Sequence, residues 1–151
     1  MTAPTRSDTV QVYRVTIEAT PEQIWEAITT PEFTARYFHG ARITVTPERY
    51  LSVGTDDSIW GDAAVLEFDP PHRLVHGWDS RYDAALAQEP TSRVTWEITP
   101  RSDRESDLTV THDQLERSPK TAASVSGAGW TGVLTALKAM LEGAGSEEAQ
   151  P

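Results

Sequence analysis

The fold of this chain of 151 residues is decided by residues 65–78, which read VLEFDPPHRLVHGW. Both ends of this stretch are rich in the β-branched and aromatic side chains that favour strands. Between them, Asp69-Pro70-Pro71 must interrupt the pairing, because proline has no N–H to donate to a strand ladder. The stretch therefore predicts two consecutive strands, at 63–68 and 74–78, joined by a turn.

Strand patterns continue on both sides of this pair. Turn residues separate short β-rich segments at 10–17, 43–45, 50–53, 94–99 and 108–112. After the first of these segments, Thr20, Pro21 and Gln23 form a helix cap with a capping box, and Thr30-Pro31 repeats the cap and proline signal. The pattern predicts a strand, two short helices and a meander of strands. Residues 80–91 lack a strand pattern and are expected to form a mobile loop.

The last predicted element is a long helix from Ser118-Pro119 to Glu142, with Gly143 as its stop. Its second half repeats apolar residues at steps of three and four, which gives a wide face that packs on the sheet. Its first half is rich in small residues, and we interpret Gly129 as a sign that a bound molecule needs space there. We expect one domain at 9–143 with flexible termini at 1–8 and 144–151.

The composition narrows the possible functions. A formal net charge of −10 at pH 7 opposes binding to nucleic acid and to anionic lipid headgroups. No segment has the ~20 apolar residues that span a bilayer, and the polar residues 1–9 lack the core of a signal peptide. We therefore expect a cytoplasmic protein without membrane insertion. The absence of cysteine excludes disulfides and thiolate metal sites.

Three stretches resemble a known superfamily. Residues 18–27, EATPEQIWEA, look like the opening of the helix-grip superfamily, which includes START lipid-transfer domains, polyketide cyclases and the birch-pollen-allergen type. Residues 65–78 resemble the central strand pair of the branch named after activators of the ATPase of the ninety-kilodalton heat-shock chaperone. Gly129-Trp130, followed by Leu134 and Leu137, is also similar to that branch, and the resemblance spans residues 10–141.

The resemblance implies an α+β, START-like helix-grip fold. In that fold a curved antiparallel sheet wraps around a long C-terminal helix, and two short helices follow the first strand. It also implies an apolar cavity between the sheet and the last helix, without naming a ligand.

The strand period places two histidines and two tryptophans on apolar faces. Side chains alternate along a strand, so His76 and Trp78 share one face, Trp96 lies in a second such row and His112 ends a third. If these faces meet the last helix, they form one interior set of candidate ligand-binding residues. The set is His76, Trp78, Trp96, His112, Gly129, Trp130, Val133 and Leu137.

The two histidines allow two interpretations. They can be buried neutral imidazoles that bond to backbone carbonyls, or they can orient a carbonyl or hydroxyl group of a ligand held by flat tryptophan faces. Catalysis would also need a carboxylate partner, but Asp79 and Asp113 follow inward residues and should point outward. We therefore assign no catalytic residue.

No metal or cofactor is expected. A metal would need three convergent ligands, and the other two histidines lie at a predicted helix end and in a turn. The glycine run before Val133 resembles a dinucleotide-binding string, but it lies inside the predicted last helix and not after a strand.

Three functions remain open from the sequence. The first is binding of a hydrophobic small molecule, such as a lipid, a polyketide or an aromatic metabolite. The second is a chaperone-activator-like interaction module, in which a chaperone or another protein is the partner. The third is a cyclase- or hydratase-like enzyme that uses His76 or His112. An internal cavity would favour the first or third function, and a filled core with a large exposed apolar patch would favour the second. The oligomeric state is left open.

Overall fold

Seven strands and five helices are present in the computed structural model, which describes residues 9–126 and 128–149. The strands are β1 (Gln11–Ile17), β2 (Arg42–Val45), β3 (Arg49–Val53), β4 (Ile59–Asp69), β5 (Arg73–Trp78), β6 (Ser92–Pro100) and β7 (Ser106–Asp113). The helices are α1 (Pro21–Thr29), α2 (Pro31–Tyr37), α3 (Ala84–Ala87), α4 (Pro119–Val125) and α5 (Ala128–Ala149). The expected flexible segment at 1–8 lies outside the described residues.

All seven strands pair antiparallel in one sheet, in the order β1-β7-β6-β5-β4-β3-β2. The pairing register shifts between Ser52 and Val53 in β3 and between Val65 and Glu67 in β4. Irregularities of this kind bend a strand and increase its twist, so they help to curve the sheet. The curved, unclosed sheet with helices packed against it confirms the predicted α+β helix-grip architecture.

The two short helices begin as the sequence predicts. The Thr20 side chain accepts the Gln23 N–H at 3.2 Å, and the Gln23 side chain accepts the Thr20 N–H at 2.8 Å, which completes the capping box of α1. The Thr34 hydroxyl of α2 donates to the Ala41 carbonyl and accepts the Ile43 N–H. These bonds fasten α2 to β2, and the chain between them carries residues of the cavity described below.

The core lies between the concave face of the sheet and the helices. β6 and β7 alternate buried and more exposed residues along most of their length, as expected for strands with one face turned to a core. The buried residues of α5 belong to the apolar face that the repeat at steps of three and four predicted. They are Trp130, Val133, Leu134 and Leu137. None of the described helices is long and apolar enough to cross a membrane.

The C-terminal helix differs from its prediction. It is divided into α4 and α5, because Ser126 has an extended backbone and ends α4. The Gly129 N–H then donates to the Ser126 carbonyl at 3.1 Å as α5 begins. α5 also continues beyond the predicted stop at Gly143 to Ala149, which is possible because a glycine inside a helix costs only about 1 kcal/mol.

The segment expected to be a mobile loop contains the short helix α3. Asp83 caps this helix by accepting the N–H groups of Ala85 and Leu86. Glu89 then accepts the backbone N–H groups of Lys120 and Thr121, at 2.9 Å and 2.8 Å, and the Thr121 hydroxyl at 2.7 Å. The segment is therefore bonded to the first turn of α4.

Candidate functional site

A cavity of about 360 Å³ opens between the sheet and the helices. Its wall combines residues from the end of α2, from β2 to β5, from the segment after β5, and from α4 and α5. Six of the lining residues are aromatic: Phe38, Tyr50, Trp60, Trp78, Tyr82 and Trp130. The others are His39, Ala41, Ile43, Ser52, Gly61, Gly77, Asp79, Ser124, Val125, Gly129 and Val133.

The inner aromatic rings pack against one another. The ring centroids of Trp78 and Trp130 are 5.4 Å apart, and Phe38 lies 6.1 Å from Trp78 and 5.9 Å from Trp130. These separations are typical of tilted and edge-to-face aromatic pairs, which stabilise each other beyond the area that they bury. The wall is therefore closely packed and mostly apolar.

A second aromatic pair joins β4 to the segment that follows β5. Trp60 of β4 packs at 5.8 Å from Tyr82. The Trp60 ring lies so close to the backbone at Gly54 that a Cβ atom there would come within 1.9 Å of it. Glycine is required at position 54 for this reason, because any side chain would displace Trp60 from the cavity wall.

His76 lies under the cavity and supports Tyr50. The two rings are stacked, with centroids 3.6 Å apart and planes 7° from parallel. The His76 Nδ1–H donates to the Gly77 carbonyl at 2.7 Å, and its Nε2 accepts the indole N–H of Trp96 at 2.9 Å. Burial lowers the pKa of His76 to about 3. The imidazole is therefore neutral near pH 7, with its proton on Nδ1.

His112 forms a similar network with the opposite tautomer. Its Nδ1 accepts the indole N–H of Trp130 at 3.0 Å, so its Nε2–H donates to the Ser92 hydroxyl oxygen at 2.7 Å. Burial also lowers the pKa of His112, to about 4. Both imidazoles thus have both ring nitrogens bonded to protein groups, which leaves no lone pair available to remove a proton from a substrate.

The predicted binding residues divide into two layers. Trp78, Gly129, Trp130 and Val133 line the cavity. The second layer lies beneath the wall in the buried core, where it supports the residues above. Its members are His76, Trp96, His112 and Leu137. The structure brings all eight residues to one side of the sheet, and contact of this set with a ligand remains a prediction.

The carboxylates near the histidines bond to arginines. Asp79 pairs with Arg81 at 2.6 Å, and Asp113 pairs with Arg93 at 2.6 Å. Neither acid is hydrogen-bonded to His76 or His112, so the described residues contain no histidine–carboxylate dyad. The same residues contain no group of three or more histidine or acidic side chains placed to hold a metal ion.

Eight aromatic or polar lining residues were outside the predicted site: Phe38, His39, Tyr50, Ser52, Trp60, Asp79, Tyr82 and Ser124. Phe38 and Tyr50 lie outside the three strand rows, and Trp60 follows a segment without a clear strand pattern. Tyr82 and Asp79 lie in or beside the segment predicted as a loop. Strand alternation would have identified Tyr50, because it is a buried residue on the inner face of β3. No local pattern identifies Trp60 or Tyr82, because their position depends on how β4 and α3 fold over the cavity.

These features define a helix-grip domain with an aromatic cavity between its sheet and its C-terminal helices. The profile of the family described as Activator of Hsp90 ATPase homolog 1-like protein matches residues 18–142, and the chain belongs to this family. The match confirms the resemblance found in the sequence. No curated protein sequence matches the chain.

Solved structures show the same fold. Protein MLL2253 from Mesorhizobium loti is 21% identical, with a TM-score of 0.70 over 88% of this chain and 96% of that one. PFC0360w, an HSP90 activator from Plasmodium falciparum, is 18% identical, with a TM-score of 0.71 over 89% and 96% of the two chains. DynU16, from the dynemicin biosynthetic locus, is 24% identical, with a TM-score of 0.71 over 90% and 48%. At these identities the likeness establishes the fold alone.

Proposed function

We propose that this protein binds a hydrophobic small molecule in the cavity between the sheet and the C-terminal helices. The observation that carries the proposal is the cavity itself, whose volume of about 360 Å³ lies toward the lower end of the ~300–1,000 Å³ typical of ligand pockets. Six aromatic side chains line it, which is the wall expected for an apolar ligand.

The energetics favour an occupant. Protein interiors are normally packed to a density of about 0.75, so a large apolar space between sheet and helix forfeits contacts that a filled core would make. A ligand would restore them and remove apolar wall from water, at roughly 25 cal/mol per Å² of apolar surface buried. The hydrogen bonds from Trp96 to His76 and from Trp130 to His112 keep this space open by fixing the layer beneath it.

The structural neighbours support this function and one alternative. DynU16 belongs to the dynemicin biosynthetic locus, and a comparable role here would be to hold an intermediate or product of small-molecule biosynthesis. PFC0360w is an HSP90 activator, and a comparable role here would be to bind a chaperone. The large exposed apolar side chains of the described residues do not form one docking face, because Val10 and Val12 lie at β1, four strands away from Ile59 and Leu66 on β4, and they therefore favour the cavity as the main site. They are Val10, Val12, Ile59, Leu66 and Tyr82.

Two measurements test the proposal. Native mass spectrometry of protein purified from its own cells should show a small apolar molecule that is released on unfolding. A thermal-shift screen of neutral apolar compounds should raise the melting temperature, since a ligand at about 100 times its Kd stabilises the protein by about 2.7 kcal/mol. Tryptophan quenching should accompany the shift, because Trp60, Trp78 and Trp130 line the cavity. The proposal is wrong if neither a co-purifying molecule nor a stabilising compound is found.

A further inference from the structure

Two hydrogen-bonding groups of the cavity wall make no hydrogen bond within the described residues. The Trp78 Nε1–H is the only fully buried side-chain nitrogen or oxygen of the described residues that makes no hydrogen bond. Tyr50 is only 4% exposed, its ring contacts His76 and Trp78, and its hydroxyl makes no hydrogen bond within the described residues. The Tyr50 oxygen makes no hydrogen bond and yet is not fully buried, so part of its surface faces open space. Tyr50 lines the cavity, so we take this open space to be the cavity.

The Tyr50 hydroxyl is held ready to donate. The stacking of its ring on His76, which is itself bonded at both nitrogens, fixes the direction of the phenol. Burial raises the pKa of Tyr50 far above its ordinary value, so the hydroxyl keeps its proton. A donor that faces a cavity and has no protein partner is placed to bond to an acceptor atom of a ligand there.

The charges around the cavity disfavour an anion. No lysine or arginine is among the lining residues, and the acidic Asp79 is. Arg81, the nearest base to that carboxylate, is occupied by Asp79 and by the Asp62 carbonyl. His39 is the one lining side chain able to carry a positive charge, so a carboxylate or phosphate buried here would have no lysine or arginine to pair with, which is costly in a site of low dielectric constant.

We infer that the ligand is a neutral, flat aromatic molecule with an oxygen acceptor, such as a ring carbonyl, that accepts a hydrogen bond from the Tyr50 hydroxyl. This inference rests on the proposed function and narrows it, since it excludes fatty acids and other apolar anions. The six aromatic side chains of the wall favour an aromatic partner over a flexible chain.

Matched probes test the inference. Fluorenone is a neutral planar ketone, fluorene is the same ring system without the oxygen, and a fluorenone carboxylate adds a negative charge. We expect fluorenone to bind wild type about tenfold more tightly than fluorene, which corresponds to one hydrogen bond, and the carboxylate to bind more weakly than fluorenone. Tyr50→Phe should remove most of the advantage of fluorenone over fluorene while it keeps the ring stacked on His76.

Tyr37→Phe is the matched control. Tyr37 is also a buried tyrosine, but its hydroxyl donates to the Ala27 carbonyl and it does not line the cavity. Its loss should lower stability and leave the ratio of the two affinities unchanged. Equal binding of fluorenone and fluorene, an unchanged ratio in Tyr50→Phe, or preferred binding of the carboxylate would overturn the inference and leave the proposed function standing. If none of the three probes binds, and native mass spectrometry finds no ligand, the proposed function itself fails.

Discussion

Trp130 donates its indole N–H to Nδ1 of His112 at 3.0 Å, and this bond joins the wall of the cavity to the sheet beneath it. It fixes the tautomer of the imidazole, whose Nε2–H then donates to Ser92. It also fixes the orientation of the Trp130 ring, which packs against Phe38 and Trp78. A histidine in the core thus helps to determine the shape of a cavity wall that it does not itself line.

Replacement of His112 by leucine should destabilise the protein by about 2–4 kcal/mol. His112→Leu keeps an apolar side chain of similar size but leaves the Trp130 N–H without an acceptor and Ser92 without its donor. Urea unfolding monitored by circular dichroism measures the change. The control is His72→Leu at an exposed turn, which should change the unfolding free energy by less than about 0.5 kcal/mol. Similar effects of the two substitutions would contradict the structural role of His112.

The free energy of unfolding should fall as the pH decreases from about 6.5 to about 5. The pKa values of His76 and His112 are about 3 and about 4 in the folded protein, because burial lowers both, against ~6.5 in the unfolded chain. Below pH ~6.5 the unfolded state therefore binds more protons, and each histidine contributes a slope of about 1.4 kcal/mol per pH unit. Urea unfolding at several pH values measures the total slope.

Titration of the carboxylates does not hide the effect of the histidines on stability between pH ~6.5 and pH ~5. Hydrogen bonds from Arg49 to Asp62 and from Thr16 to Asp107 lower the pKa of both carboxyls. Their stabilising contribution is complete above the ordinary carboxyl pKa of about 4 and is lost only at lower pH. In the His76→Gln variant the slope between pH ~6.5 and pH ~5 should be about half that of wild type. A flat profile for wild type would show that the histidines are not buried as neutral groups.

A larger residue at position 133 should close the cavity. Val133 lines it from α5, so the additional atoms of Val133→Phe enter open space, and the unfolding free energy should change by less than about 1.5 kcal/mol. The thermal shift given by neutral aromatic compounds should disappear. Thr135→Phe, an exposed position on the same helix, is the control and should keep the shift. Undiminished binding by Val133→Phe would place the ligand elsewhere.

Alanine at two glycines of α5 should have opposite effects. A Cβ at Gly132 meets no atom within 4 Å, so Gly132→Ala should stabilise the protein by up to about 1 kcal/mol through helix propensity. A Cβ at Gly129 would lie 2.9 Å from the Ser124 carbonyl oxygen, so Gly129→Ala should be net destabilising, by about 1 kcal/mol. Thermal unfolding of both variants measures the difference, and stabilisation by both would show that α4 and α5 are not in close contact there.

The same distance changes the interpretation of Gly129 made from the sequence. Gly129 does line the cavity, but its missing side chain allows α4 and α5 to approach each other, and the added Cβ would point toward the Ser124 carbonyl. The sequence alone could not show whether the glycine leaves space for a ligand or allows two helices to approach, because both require the absence of a Cβ atom. Only the break at Ser126 between α4 and α5 distinguishes them.

The candidate site was predicted in part for a similar reason. The alternation of side chains along β5, β6 and β7 correctly placed His76, Trp96 and His112 on the inner face of the sheet. Strand alternation shows which face of the sheet a side chain points to, but not how far that side chain lies from the cavity. It therefore could not show that these three residues lie below the cavity wall, whereas Trp78 lines it. Tyr50 follows the alternation of β3 but lay outside the three strand rows, whereas Trp60 lies in β4 at the point where the register with β3 shifts and interrupts simple alternation.

The sequence by itself determined the class of the fold, because each element has a local signal. The capping box at Thr20, the prolines after β4 and the apolar period of α5 act over a few residues and need no tertiary contact. The cavity was decided only by the tertiary structure. Its volume depends on the curvature of seven strands, on the break between α4 and α5, and on the bond between Trp130 and His112. The volume of a cavity is the small difference between the volume that the sheet and helices enclose and the volume that their side chains fill. A small change in the geometry of these elements therefore decides whether the cavity exists.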